Sequence, residues 1–219
     1  MEHRTLAGVI FDLDGTLLDS TAVWSQIDRI ILQEHGIQPP AGLSDLVKKL
    51  SIAESSQYFI TQFGLPYTPE SFSQHVQELA AEQYQTTLPL KPHALELLND
   101  LDQKQIPYCV VTANYRTLAQ AALERLGLME RIAFLLTEQE AGATKTSPEI
   151  FRQAAAAMHL GRRQLVVAED SLHCIETAKQ AGFFTVGVYD AETAPEEWTK
   201  IQATATISVS DLQEMKTLF

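Results

Sequence analysis

Residues 9–20 read Val9-Ile10-Phe11-Asp12-Leu13-Asp14-Gly15-Thr16-Leu17-Leu18-Asp19-Ser20. The run Gly8-Val9-Ile10-Phe11 has the β-branched and aromatic make-up of a buried strand. Asp12 and Asp14 therefore fall at or just past its carboxyl end, the edge at which open α/β sheets bind ligands. Two acids so close repel each other and lose hydration there, a cost that a cation or a proton must offset. Asp-x-Asp suits magnesium, which takes few protein oxygens and completes its shell with water and substrate phosphate. An isolated DxDG is ordinarily a surface turn, because Asp and Gly supply turn geometry. The apolar strand before it and Thr16-Leu17-Leu18-Asp19-Ser20 after it argue against that here.

Three later segments extend the pattern. A second apolar strand, Pro107–Val111, runs into Thr112-Ala113-Asn114, which puts a hydroxyl at a strand end. Lys145 lies in Ala143-Thr144-Lys145-Thr146-Ser147-Pro148-Glu149-Ile150-Phe151, and Leu165–Ala168 leads into Glu169-Asp170-Ser171. Taken singly, a strand-ending Thr is common, a loop lysine is ordinarily solvated, and Glu-Asp is the usual acidic start of a helix. In this order, the four segments resemble the successive motifs of the haloacid dehalogenase superfamily, whose typical member is a magnesium-dependent phosphohydrolase. The third motif usually reads GKPxPxxF. Thr144 and Thr146 stand here for its Gly and first Pro, while Pro148 and Phe151 remain. Two further departures are Cys174, where relatives often carry Gly, and Lys91-Pro92-His93, where many have Pro-Gly before the next helix.

The resemblance implies roles residue by residue. Asp12 is the nucleophile, forming an aspartyl-phosphate, and Asp14 protonates the leaving oxygen and then deprotonates the attacking water. Thr112, Lys145 and backbone amides near Leu13, Ala113 and Asn114 hold the phosphoryl oxygens. Asp12 and Asp170 ligate Mg²⁺ through side chains, Asp14 through its carbonyl, and Glu169 mainly through water.

The rest of the chain organises around that edge. From Thr21 to about Thr86 the periodicity is helical: Val23, Trp24, Ile27, Ile30 and Ile31 form one apolar face before Gly36. Ser51–Glu54 reads as a capping box, with Tyr58, Phe59 and Phe63 on its helix. Thr68-Pro69 opens a helix carrying Phe72, Val76 and Leu79. Beyond Pro89, helix and strand alternate: helix 93–104, strand 107–112, helix 115–126, strand 132–136, helix 148–159, strand 164–168, helix 171–181 and strand 184–188. Gly127, Gly161 and Gly182 are expected at helix ends. Alternation of this kind implies a parallel sheet covered by helices on both faces. The expected fold is α/β, a Rossmann-like core of residues 1–18 and 88–219 with an all-α cap of the small type at 19–87. Leu17–Ser20 and Leu88–Pro92 are the hinges.

Composition bounds the function. The 219 residues are 45% hydrophobic and 20% charged, enough to bury a substantial core, and the protein is expected to act as a monomer. A formal charge of −12 excludes a nucleic-acid backbone as partner, since counterion release needs a basic surface. Cys109 and Cys174 show no framework spacing, which points to a reducing compartment without a disulfide. No segment approaches a membrane span, and MEHRTLAG lacks the apolar stretch of a secretion signal, so the expected location is the cytoplasm.

The expected function is hydrolysis of a small phosphorylated metabolite by an enzyme of the β-phosphoglucomutase and phosphoglycolate phosphatase branch. A sugar-phosphate mutase is the alternative, and a phospho-ligand-binding module without turnover a third reading. A mutase needs a second phosphate site in the cap, where Lys48 and Lys49 are the one obvious basic pair, though a solvated helix face is the better reading of them. Trp24 is placed either against substrate or in the cap core. The six histidines show no HExxH or comparable spacing, and Arg162-Arg163 reads as surface charge.

Overall fold

Six strands form one wholly parallel sheet: Gly8–Phe11 (β1), Tyr108–Thr112 (β2), Leu135–Thr137 (β3), Leu165–Glu169 (β4), Phe184–Val188 (β5) and Ile207–Val209 (β6). Their order is β3-β2-β1-β4-β5-β6, which sets β1 between β2 and β4. The computed structural model describes residues 5–47 and 50–219. Every residue of β1, β2 and β4 is buried, the signature of strands covered on both faces. Alternation sorts their side chains: Val9, Phe11, Val110 and Val166 pack on one face, and Ile10, Cys109, Val111 and Val167 on the other.

Helices Ala94–Gln103 and Arg116–Arg125 contribute Leu97, Leu98, Leu101, Leu118 and Leu123 to the first face. Helices Pro148–Ala157 and Leu172–Gln180 contribute Ile150, Phe151, Ala154 and Ala178 to the second. Ser147 caps the helix at 148 by accepting from the Glu149 N–H, with Pro148 in the first turn as expected.

The strand expected at 132–136 is instead Leu135–Thr137. Arg131 and Ile132 both donate to the Leu128 carbonyl, so a turn occupies the start of the apolar run. Gly161 does not end the helix before it. His159 takes the left-handed backbone (φ 55°), and Gly161 precedes a 3₁₀ turn at Arg162–Gln164. His93 likewise sits at φ 59°, with its ring nitrogen 2.6 Å from Asp211. That conformation comes easily to glycine, the residue expected at this position from the resemblance. Helix Pro195–Thr204 and β6 complete the sheet beyond the last expected strand. Both escape periodicity, because that helix buries only Ile201 and β6 spans three residues.

Between β1 and β2 the chain forms helices α1 (Thr21–Glu34), α2 (Leu43–Val47), α3 (Ile52–Phe63) and α4 (Pro69–Glu82), then a π-helical turn at Gln83–Thr87. Ser51 and Thr68 close capping boxes at the starts of α3 and α4. Phe59 meets Phe72 and Phe63 with ring centroids 5.4 and 5.7 Å apart, joining the two helices through aromatic faces. The two connections to the sheet run side by side: Asp19 N–H donates to Pro89 at 3.1 Å and Lys91 N–H to Leu17 at 2.8 Å. Arg125 donates to the Tyr84 carbonyl at 3.2 Å and also to that of Leu88, binding the π-helical turn to the sheet's own helices. Lys48 and Lys49 lie outside the described residues. Among those described, no helix is long and apolar enough to cross a membrane.

Gly187 of β5 lets the helix at 195–204 approach closely, since a methyl group there would run into the Ile201 side chain. Gly187→Ala is expected to lower unfolding free energy by about 2 kcal/mol through overpacking, read from urea denaturation, with Ile201→Ala partly rescuing it.

Candidate active site

The carboxyl ends of the three central strands deliver the acidic and hydroxyl side chains. Asp12 follows β1, and its N–H donates to the Ala168 carbonyl at 3.0 Å, so sheet pairing sets its position. Thr112 ends β2, Glu169 ends β4, and Asp170 follows. Past Asp14 the chain reverses tightly: Leu17 and Leu18 both donate to the Leu13 carbonyl, at 2.9 and 2.8 Å. Gly15 sits at φ 86°, where a Cβ would stand 2.5 Å from an Asp170 oxygen and 2.9 Å from the Thr21 hydroxyl. Only glycine lets the first motif close against the fourth.

Carboxylate oxygens of Asp12, Glu169 and Asp170 lie within 4.8 Å of one another, and all three residues are buried. Lys145 is buried with them and donates to Asp12 and, at 2.8 Å, to Glu169. Its backbone N–H donates to Glu138 at 2.6 Å, so the loop as well as the ammonium is tied down.

One ammonium does not balance three carboxylates. Burial pushes the Asp12 carboxyl up to about 7 against the pull of Lys145, with Glu169 and Asp14 adding to the rise. Burial, then Glu169, Asp12 and Asp190, holds Asp170 well above the usual carboxylate range. Burial also raises Glu169, but Lys145 and the Ser171 N–H outweigh it and leave that carboxyl lowered. Burial works against the Lys145 ammonium, which Asp12 and Glu169 nevertheless hold charged, well above the ordinary lysine value. This all-oxygen donor set with surplus negative charge fits a hard divalent cation such as Mg²⁺.

Asp14 occupies a different network. One of its oxygens accepts from Ser20 at 2.6 Å, from Tyr84 and, at 3.4 Å, from the Trp24 indole, and the other accepts from the Asn114 side-chain amide at 2.9 Å. The Trp24 N–H also donates to the Tyr84 oxygen at 2.8 Å. Burial and then Asp14 push the Tyr84 hydroxyl well above its ordinary value, so it stays protonated and donating. The Asn114 N–H donates to the Thr112 hydroxyl at 3.0 Å.

Sequence reasoning missed Ser20, Tyr84, Glu138 and Lys91 as parts of this edge. Lys91 donates to the Gly15 carbonyl at 2.9 Å and pairs with buried Asp190 at 2.8 Å, fastening the returning connection beneath the first motif. Ser20 stands inside the opening motif and could have been found there. Tyr84 is seventy residues from Asp14, and nothing local marks it.

A cavity of about 240 Å³ opens over these groups, reaching Asp12, Asp14, Ala113, Asn114, Lys145 and Asp170 on one side and Trp24 and other α1 residues on the other. Trp24 both lines the cavity and bonds within the inserted helices. Cys174 is buried beneath the acids, its thiol pushed well up by burial and then by Glu169. Cys109 is buried within β2, and both cysteines are free. His173 also reaches the cavity, its imidazole lowered by burial.

The sequence model of the haloacid dehalogenase-like hydrolase family matches residues 9–188. Validoxylamine A 7'-phosphate phosphatase of Streptomyces hygroscopicus subsp. limoneus is 28% identical over 213 residues, 94% of each chain. N-acetylmuramic acid 6-phosphate phosphatase of Pseudomonas putida is 28% identical over 196 residues, covering 88% of this chain and 86% of that one. The structure of CbbY from Rhodobacter sphaeroides in complex with phosphate superposes with a TM-score of 0.83 at 19% identity, covering 96% of both chains. At that identity the likeness shows the fold.

Lys145→Met leaves the buried acids without their ammonium. In chelator at neutral pH its unfolding free energy is expected to drop by about 3 kcal/mol. The drop should shrink as pH falls below about 7 and the acids take up protons, as urea titrations at several pH values would show.

Proposed function

The chain belongs to the haloacid dehalogenase-like hydrolase family, and from that premise we propose that it is a magnesium-dependent phosphatase that hydrolyses a small phosphorylated metabolite through an aspartyl-phosphate. The observation that carries this reading is the buried group of Asp12, Glu169, Asp170 and Lys145 beneath a cavity at the carboxyl edge of the sheet. The two relatives named for phosphate esters support the same reaction class.

In the first step a carboxylate oxygen of Asp12 bonds phosphorus while the ester P–O bond breaks, and Asp14 gives its proton to the leaving oxygen. In the second, Asp14 takes a proton from water as that oxygen attacks phosphorus. The bond from Asp12 breaks and inorganic phosphate leaves. Thr112, Lys145 and the backbone amides of Leu13, Ala113 and Asn114 hold the phosphoryl oxygens. In that role the Asn114 N–H exchanges its Thr112 partner for a phosphoryl oxygen. Asp12 and Asp170 through side chains, Asp14 through its carbonyl and Glu169 through water would hold Mg²⁺, which when bound neutralises charge on the transferring group.

Residues 19–87 act as a cap over a core of 1–18 and 88–219, hinged at Leu17–Ser20 and Leu88–Pro92. The paired backbone bonds between those two connections support a shared pivot. Water is the final acceptor rather than a second sugar hydroxyl. The relatives named as phosphatases support that choice, while Lys48 and Lys49, the pair a second phosphate site would use, lie outside the described residues. The enzyme works as a monomer: the exposed large apolar side chains among the described residues, Leu46, Leu95 and Tyr189, lie on separate elements.

Phosphate release from a panel of phosphate esters tests the reaction. Release is expected with magnesium, to stop in excess chelator, and to fall at least roughly a thousandfold in Asp12→Asn with the fold retained. Isomerisation of an aldose 1-phosphate, given its bisphosphate, without free phosphate would make the enzyme a mutase instead.

Tyr84 orients Asp14. Tyr84→Phe is expected to lower kcat/KM for an alkyl phosphate, whose leaving oxygen needs a proton, by roughly tenfold. The loss on p-nitrophenyl phosphate should be much smaller, and equal losses on both would contradict the role.

A further inference from the structure

The cavity wall facing the acids is one side of α1, and it carries an acid that the phosphoryl chemistry does not use. Thr21, Trp24, Ser25 and Asp28 recur at helical spacing, and all four line the cavity. Thr21 marks the reacting end, since its hydroxyl and the Asp170 carboxyl crowd the same space over Gly15. Asp28 lies two turns further along, roughly 10 Å away at 1.5 Å per residue. That separation is about the reach of a sugar chain carrying its phosphate at one end.

Asp28 is half-buried, and no hydrogen bond or ion pair engages its side chain among the described residues. Burial pushes its carboxyl up to about 7, and among the described residues no charge or donor offsets that rise. An unpartnered acid in such a place costs stability, and a ligand that supplies O–H or N–H donors removes that cost. Ser25 beside it, and Ser44 and Ser55 across the cavity from α2 and α3, add hydroxyls that donate and accept. Glu54 of α3 also lines the cavity, its carboxylate accepting from Ser51 in the capping box. Among the described lining residues no Lys or Arg stands at this end to receive another anion.

We propose that Asp28 is the specificity-determining residue of the cavity: its carboxylate accepts hydrogen bonds from the hydroxyls of an uncharged, polyhydroxylated leaving group and repels esters that carry a second anionic group. The inference rests on the phosphatase reading and extends it from reaction class to substrate class. Two neutral hydroxyls meeting one carboxylate make charge-assisted bonds, whereas a carboxylate or second phosphate there would face the like charge of Asp28.

Steady-state kinetics on three probes tests it: the best-used member of a panel of uncharged sugar and polyol monophosphates, phosphoglycolate, and p-nitrophenyl phosphate. The wild-type protein should favour the sugar or polyol ester over phosphoglycolate. Asp28→Ala and the isosteric Asp28→Asn should raise KM for that ester, by roughly tenfold or more in the alanine variant. The loss on p-nitrophenyl phosphate should be much smaller, and melting temperature should not fall. Asp28→Lys should shift the ratio of kcat/KM toward phosphoglycolate. A wild-type preference for phosphoglycolate, or equal losses on all three probes in the Asp28 variants, would overturn the assignment. Absence of turnover on every ester would instead overturn the phosphatase reading beneath it.

Discussion

The Lys145 ammonium between Asp12 and Glu169 is the interaction on which the site depends. Parallel pairing of β2, β1 and β4 brings strand ends together at one edge, so acids that are far apart in sequence must share a buried volume. Like charges in such a place are tolerated only with compensation. Lys145 supplies part of it, while the rest is left to protons or to a cation. The loop that carries Lys145 is held by Glu138 and by the Ser147 cap of the following helix, so secondary structure remote from the acids holds the compensating charge in place.

The inserted helices are bound to that edge by chemistry as well as by chain connection. Tyr84 reaches Asp14 from the π-helical turn after α4, and Trp24 reaches both from α1. A π-helical turn is an irregularity that regular propensity does not favour, and such turns concentrate where a side chain must be re-aimed. Arg125 secures it by bonding the Tyr84 and Leu88 carbonyls. The position of the inserted helices and the orientation of Asp14 are therefore one variable. A movement of α1 and α4 away from the sheet would release the Trp24 and Tyr84 bonds to Asp14 together. Asp28 stands on the same helix as Trp24, so the group proposed to read the leaving group and a group that orients the proposed acid share one rigid element.

Much of the fold was legible because its signals are local. The buried apolar runs of β1, β2 and β4 are too hydrophobic for anything but strands covered on both faces, and the Ser51 and Thr68 caps announce their helices within four residues. Where the reading slipped, a longer-range term had decided. The apolar run from Ile132 suggests a strand, yet the Leu128 carbonyl captures Arg131 and Ile132 in a turn, and pairing begins later. Gly161 looked like a helix end, but His159 accepted the left-handed conformation before it.

By itself the sequence determined the strand ends and what stands on them: Asp12 after β1, Thr112 on β2, Glu169 and Asp170 at β4, and a lysine loop before a capped helix. Propensity, burial pattern and turn chemistry act over a few residues, so a single chain displays them. Only the tertiary structure decided which distant groups meet: Lys145 with Asp12 and Glu169, Tyr84 and Asn114 with Asp14, Lys91 with Asp190, and Asp28 with an open cavity. Those meetings follow from how helices pack on the sheet and from where a π-helical turn throws one side chain. The energies that select them come from burial and charge summed across the fold, and no short stretch of sequence contains that sum.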